Sequence, residues 1–349
     1  MGKIRELSSA ELSSLSRQLA LVVDSDLSLQ EGLDLLRQQS KSRAVQELLL
    51  RARNRVNEGQ TLSEAFAEEK GLLPDFYIEM IKMGELSGNL VRVLTRVADS
   101  YDKEAKISSK VMSAVTYPLI LTVLMLCVII LLLTEVLPMF GEVLSSLGGE
   151  MPGITRALMD IGAFVSSYFY VLLLIVAAVV IAVVIMRQSE SGRELLDAMK
   201  LRMPIRGRIT RNICAVRFAR NLAMLLRSGI SVAASVRMTR SIVMNTRIAS
   251  LIEEAADRVE SGETLRSALL SLGLFPDLLV RLLTVAESTG HMDDMLDRAA
   301  DVMEEELDER LARLTTVLEP ALIIVLSIII GIVLVSVLLP VARIMNTVG

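Results

Sequence analysis

The chain states one pattern twice. From Arg17 it reads Arg-Gln-Leu-Ala-Leu-Val-Val-Asp-Ser-Asp-Leu-Ser, and from Arg220 it reads Arg-Asn-Leu-Ala-Met-Leu-Leu-Arg-Ser-Gly-Ile-Ser. Gly59-Gln-Thr-Leu-Ser-Glu-Ala-Phe returns as Gly262-Glu-Thr-Leu-Arg-Ser-Ala-Leu, and Leu73-Pro-Asp as Phe275-Pro-Asp. Gly84-Glu-Leu-Ser-Gly returns as Ala286-Glu-Ser-Thr-Gly, and Pro118 and Pro138 answer Pro320 and Pro340. The offset is 203 residues as far as Phe66 and Leu269, and 202 from Pro74 and Pro276 onward. One register slip over such a length is not a product of chance. Each copy ends in a long apolar stretch, so the repeated unit is expected to be a polar helical domain followed by a membrane exit.

Hydrophobic residues make up 52% of the 349 and charged residues 22%, and the two populations are kept apart. Charge is nearly absent from 117–137, 164–186 and 321–339, and is concentrated in 1–114 and 187–319. At a rise of about 1.5 Å per residue each apolar segment covers roughly 30 Å, the hydrocarbon thickness of a bilayer. Basic residues beside the spans set their direction. Lys103, Lys106 and Lys110 precede the first, Arg187, Arg193, Lys200, Arg202 and Arg206 follow the second, and Arg310 and Arg313 precede the third. The 139–163 connection holds only Arg156 and the tail only Arg343. Both polar blocks are therefore expected on the cytoplasmic side and the C-terminus outside. The middle segment has no counterpart in the other copy, and it supplies the extra crossing that returns the second copy to the side of the first. The copies are then parallel repeats, unlike the inverted repeats of many transporters.

The expected organisation is a first cytoplasmic helical domain over 1–114, a membrane helix over 117–137 and a short outer loop over 138–163. A second membrane helix follows over 164–186, then a basic linker and second helical domain over 187–319. The third membrane helix is 320–340 and the outer tail 341–349. The opening Met1-Gly-Lys-Ile-Arg-Glu-Leu lacks the apolar core of a signal peptide, so export of the first domain is not expected. Residue 6 is Glu6, where a myristoylation pattern needs Ser or Thr.

Punctuation in the polar blocks is helical. Ser28-Leu-Gln-Glu31 and Thr61-Leu-Ser-Glu64 fit capping boxes. Gly59, Gly71, Gly84 and Gly262 stand where helices should end, and Pro74 and Pro276 fit first helical turns. Leu15, Leu19 and Val22 share a helical face, as do Leu251, Ala255 and Val259. No strand periodicity is evident. The fold class is an all-α membrane protein with two repeated bundles of about six helices each and three transmembrane helices. The last helix of each bundle starts near Leu90 or Met292 and runs toward the membrane.

The absence of tryptophan and a net charge of −4 argue against nucleic-acid binding. Cys127 and Cys214, with His291 as the single histidine, give neither a disulfide framework nor a zinc site, so both cysteines read as small apolar filler. No catalytic, cofactor-binding or metal-binding constellation is found, and no Gly-x4-Gly-Lys-[Ser/Thr] phosphate loop is present. An oligomeric transporter or channel is the rival function. Such proteins carry ionisable or broken segments at mid-membrane, whereas 124–133, 172–184 and 323–330 are featureless.

The doubled Gly-[Gln/Glu]-Thr-Leu-x-x-Ala-[Phe/Leu], the Pro-Asp and the Gly-Glu-x-Ser-Gly element, each before an apolar helix, resemble one family over about residues 12–345. It is the inner-membrane platform protein of type II secretion systems and type IV pilus machines. The resemblance implies a non-enzymatic scaffold of the inner (cytoplasmic) membrane, a homo-oligomer in the lipid bilayer. It implies coupling of a cytoplasmic hexameric ATPase to pilin or pseudopilin subunits, beside other inner-membrane assembly proteins. The second copy departs from the motif, with Ala286 for Gly84, Thr289 for Ser87 and His291 for Asn89.

Glu85 with Gly88 and Glu287 with Gly290 are candidates for partner contact, or else for tight turns in which the glutamate caps the next helix. Pro118 and Pro320 are candidate membrane-helix hinges, or simple kinks. Glu135 is expected at the outer interface. Ala178 with Ala182, and Ser327 with Gly331, are small-residue pairs suited to helix packing. The acidic run containing Glu304, Glu305 and Glu306 is expected to face a basic partner, and the basic segment 202–220 to lie on anionic lipid, unless each is an ordinary solvated face or flank.

Overall fold

Three helices of the first half begin on reciprocal caps. Ser8, Ser28 and Thr61 each accept a hydrogen bond from the amide three residues on, and Glu11, Glu31 and Glu64 accept from the cap amide in return. The computed structural model describes residues 6–69, 71–146, 153–186, 189–243, 245–273 and 275–348, and among these there is no β-strand. The first half forms α1 (Ser9–Val23), α2 (Leu29–Gln39), α3 (Arg43–Asn57), α4 (Leu62–Ala67), α5 (Asp75–Leu86) and α6 (Leu90–Leu131). A π-turn over Leu132–Val136 leads into α7 (Leu137–Ser146), and α8 (Gly153–Met186) and α9 (Glu190–Arg202) follow. The remaining helices keep the order of the first six: α10 (Pro204–Arg227), α11 (Val232–Thr239), α12 (Thr246–Glu260), α13 (Leu265–Ser271), α14 (Asp277–Thr289) and α15 (Met292–Val348). The prolines at 74 and 276 are N-caps, one position ahead of the first helical turn.

Gly84 lies inside α5 and ends nothing. A Cβ there would sit 3.0 Å from Leu90 Cδ1 and 3.1 Å from Leu90 Cα, so a small residue lets α5 and α6 approach. Ala286, at the matching position, is wholly buried in the same way. The left-handed turn is taken by Gly88 (φ 67°) and Gly290 (φ 75°), each separated by one residue from α6 or α15, and positive φ is also found at the expected helix ends Gly59, Gly71 and Gly262.

Two compact units share the chain: Met1–Ser109 with Arg193–Asp308, and Lys110–Gly192 with Glu309–Gly349. In the first unit, Leu12, Leu19, Leu33, Leu48, Leu62, Phe66 and Tyr77 form the centre of a core that also takes in Met224, Leu225 and Ile242 from the second half. Ser16 donates to the buried Tyr77 hydroxyl at 3.1 Å, and burial pushes that phenol above its usual range. On α9, which has no counterpart in the first half, Asp197 accepts from the Thr246 amide at 3.1 Å and so ties down the start of α12.

The second unit holds the long apolar segments. Two helical stretches, Leu90–Val143 and Met292–Val335, are long and apolar enough to cross a membrane. The segment expected to cross over 164–186 is helical and bends by 59° between Arg156–Tyr168 and Leu173–Met186, though no glycine or proline lies within 163–186. Only if the two arms count as one span is there a third. The segment expected as an outer loop, 138–163, is helical through Ser146 and again from Gly153, while residues 147–152 lie outside the described ones. α8 rests its backbone on the π-turn: a Cβ at Gly162 would lie 2.6 Å from the Leu133 carbonyl oxygen. Leu133, Leu137 and Val333 are buried around this contact. Substituting Gly162→Val should cost about 1–3 kcal/mol through overpacking. At Gly331, where a Cβ meets open space, Gly331→Ala should change stability by no more than about 0.5 kcal/mol. Thermal unfolding of the solubilised protein measures both.

Candidate functional site

Matching arginines in the two halves bind matching aspartates. Arg17 pairs with Asp99 at 3.2 Å, and Arg220, its counterpart at the 203-residue offset, pairs with Asp301 at 2.8 Å. The first bridge is exposed. In the second, Asp301 is exposed too, but Arg220 is buried and also binds Asp297 at 3.1 Å and Glu304 at 2.9 Å. Two turns along α10, Arg227 engages Asp293, Asp294 and Asp297. Arg220 and Arg227 of α10 are therefore neutralised by acids of α15, and of the expected acidic run this uses Asp301 and Glu304. Glu304 is spent on Arg220, whereas Glu305 and Glu306 are exposed.

The same helix joins the halves. Arg217 of α10 and Glu104 of α6 form an ion pair at 3.2 Å with both side chains under a tenth exposed. Arg217 also donates to the Ser108 hydroxyl at 3.3 Å, and the Ser100 hydroxyl donates to Asn221 Oδ1 at 3.0 Å. Burial pushes the Glu104 carboxyl above the usual carboxylate range, with Arg217 and the Ser9 hydroxyl pulling it back. From the sequence Arg217 is expected only as part of the basic segment 202–220, and Glu104 has no assigned role. The available signal was the segment 213–225, apolar almost all round, in which Arg217, Arg220 and Asn221 had to be buried with partners. Cys214 is buried on the same helix, which pushes its thiol up to about 12.

Glu85 and Glu287 do the same local work in each half. Glu85 accepts from the Leu62 amide at 2.7 Å and the Ser63 amide at 3.2 Å, so it caps α4. Glu287 accepts from the Arg266 amide at 3.0 Å and caps α13. The helix capped is the one before the glutamate's own helix, and the cap closes a loop of about twenty residues that the local turn reading did not foresee. His291 is exposed at the start of α15.

Pro118 and Pro320 lie inside uninterrupted helices, α6 and α15. The residues just before them touch: Tyr117 donates to Glu319 Oε1 at 3.2 Å, a contact between positions one repeat offset apart. Glu135 sits on the π-turn and is exposed. Ala178, Ala182 and Ser327 are exposed and a Cβ at Gly331 would meet open space, so among the described residues the close helix approach is made at Gly162.

The model of the family described as type II secretion system (T2SS), protein F, matches residues 15–138 and 218–340. The type IV pilus assembly protein PilC of Thermus thermophilus is 33% identical over 338 residues, covering 97% of this chain and 83% of its own length. The type II secretion system protein F of Aeromonas hydrophila is 29% identical over 345 residues, covering 99% and 89%. PilC of Myxococcus xanthus is 28% identical over 326 residues, covering 93% and 78%.

Removing one member of the buried pair should be costly. Arg217→Ala leaves Glu104 buried and unpaired and should destabilise by about 3–5 kcal/mol, while replacing both partners by apolar residues of similar size should recover most of the loss. Thermal unfolding of the three proteins in detergent decides this. The pH dependence follows from the raised Glu104 carboxyl. Above pH 4.5 the native state holds a proton that the unfolded state has lost, so this contribution is full below that pH and disappears as pH rises through the native value. Stability of the parent relative to Glu104→Gln should accordingly fall with rising pH across that window.

Proposed function

The chain belongs to the type II secretion system protein F family, and on that premise we propose that it is a non-enzymatic inner-membrane platform coupling a cytoplasmic hexameric ATPase to the assembly of pilin or pseudopilin filaments. The observation that carries this reading is that the family match covers both halves, including the apolar ends of α6 and α15. Each of those helices begins in the polar sequence at a left-handed glycine and continues without a break into an apolar stretch. A helix that cannot flex at a loop suits the passage of a displacement from one end to the other. The chain carries no phosphate loop of its own, so a partner supplies the energy.

On this reading 1–114 and 187–319 face the cytoplasm, where the ATPase is. Three crossings, with α8 as the middle one despite its bend, keep both on that side and leave the C-terminus outside, as the flanking lysines and arginines favour. Glu85 and Glu287, once their caps are made, organise the surface beside Gly88 and Gly290 that partners would meet. Pro118 and Pro320 each remove a helix hydrogen bond where the apolar sequence starts, a natural place for a small bend. The small-residue pairs on α8 and α15 are left for contacts with other chains in the bilayer.

A pull-down of the tagged native protein in mild detergent, read by mass spectrometry, tests the proposal. It should bring down a Walker-motif ATPase together with pilin-like subunits. A clean, folded sample that recovers neither, and that moves a solute across reconstituted vesicles, would replace the platform by a transporter.

A further inference from the structure

α9 stands between α8 and the repeated helices of the second half, and nothing in the repeat accounts for its surface. One face is committed. Asp197 is buried, accepts from the Thr246 amide at 3.1 Å and pairs with Lys200 at 2.6 Å. Its carbonyl accepts from the Asn245 side chain at 3.3 Å. Residues two places away on a helix point to nearly the opposite side, so Leu195 and Met199 share the far face. They are 54% and 51% exposed, and Met203, four residues on at the cap of α10, is 47% exposed. Three large apolar side chains at four-residue spacing make an outward stripe on a segment otherwise rich in charge.

The start of α9 is fixed against the end of α8. A Cβ at Gly192 would lie 2.3 Å from the Met186 carbonyl oxygen, so the first turn of α9 folds directly onto the last residue of a helix that is uncharged over 164–186. Leu195 follows this contact by about 5 Å along α9 and Met199 by about 10 Å, at 1.5 Å per residue. Among the described residues of 193–211, the exposed charged side chains are Arg193, Glu194, Arg202, Arg208 and Arg211. Arg193 also acts on the Glu6 carboxyl, which leaves Arg202, Arg208 and Arg211 for a partner of negative charge. We infer that α9 lies in the headgroup layer of the bilayer, with Leu195, Met199 and Met203 at the acyl boundary and those three arginines against anionic lipid. The inference rests on the reading that α8 crosses the membrane. Lipid is the occupant because the stripe begins where an uncharged helix ends and is flanked by an excess of positive charge. Those two properties bind a helix in the plane of an anionic surface. The contact is not one of the basic segment as a whole, since Arg217 and Arg220 are buried. It is set by an apolar stripe that begins upstream of that segment.

Full-length protein with Cys127→Ser and Cys214→Ala replacements provides the background for the test. A single cysteine is added as Met199→Cys and carries an environment-sensitive fluorophore. The protein is placed in lipid nanodiscs of phosphatidylcholine alone, or of phosphatidylcholine with phosphatidylglycerol. A second chain labelled through Ala178→Cys, an exposed position on α8, reports whether that helix is in the bilayer. In the mixed discs a nitroxide near the lipid headgroup should quench the Met199→Cys label, and aqueous iodide should not. Headgroup quenching should weaken in the neutral discs; equal quenching in both overturns the part given to the arginines. The Ala178→Cys label should be quenched by a nitroxide on the acyl chain in either lipid. If it is not, the crossing of α8 has failed and the inference falls with it. If it is, and iodide reaches the Met199→Cys label, the crossing stands and the inference is overturned. Protection of that label from both quenchers overturns it too, since protein then covers the stripe. Should the Met199→Cys chain fail to fold, Leu195→Cys on the same stripe carries the same measurement.

Discussion

A buried guanidinium cannot shed its charge by losing a proton, so a fold that buries Arg217 and Arg220 must bring carboxylates to them. That requirement determines where α10 can sit. Glu104 approaches it from α6 of the first half, and Asp297, Asp301 and Glu304 approach it from α15 of the second. The helix is held between the two longest helices of the chain by groups that would be expensive to leave alone. The Nε–H groups of both arginines have no protein acceptor among the described residues, which points to a network that selects one arrangement more than it adds net stability.

Around that network the two halves use the same local rules to reach different surfaces. The Arg17–Asp99 bridge lies in solvent, where such a pair contributes little, whereas the counterpart arginine, Arg220, is buried under three acids. The glutamate caps on α4 and α13 are made alike, and Gly84 and Ala286 serve the same close approach of helices. What has diverged is the α1-type face: polar and open in one half, charged and covered in the other. Divergence at a few positions of a repeated fold is enough to turn two equal bundles into a joined pair.

Features that depend on neighbours in sequence were legible from it. The capping boxes at Ser28 and Thr61, and the helices starting at Leu90 and Met292, follow from bonds within one turn of chain. The box at Ser8 was there to be read and was not. Features that depend on distant residues were not legible. That Arg220 meets Asp297 and Asp301 of α15 has no local signal, because these charges lie about eighty residues apart in sequence while touching in space. Gly162 gave no motif to notice, since its partner is the carbonyl of a π-turn. The small-residue pairs gave a motif, yet among the described residues Ala178, Ala182 and Ser327 are exposed and a Cβ at Gly331 meets no neighbour.

By itself the sequence determined that the chain is helical, doubled and divided into polar and apolar lengths, because periodicity, caps and segregation of charge are properties of a chain read a turn at a time. Only the tertiary structure decided which charges neutralise which, that the two polar halves form one body, and where the chain bends at α8. Those outcomes turn on the cost of burying a charge or crowding a backbone. That cost has no value until a second segment has arrived to fill the space.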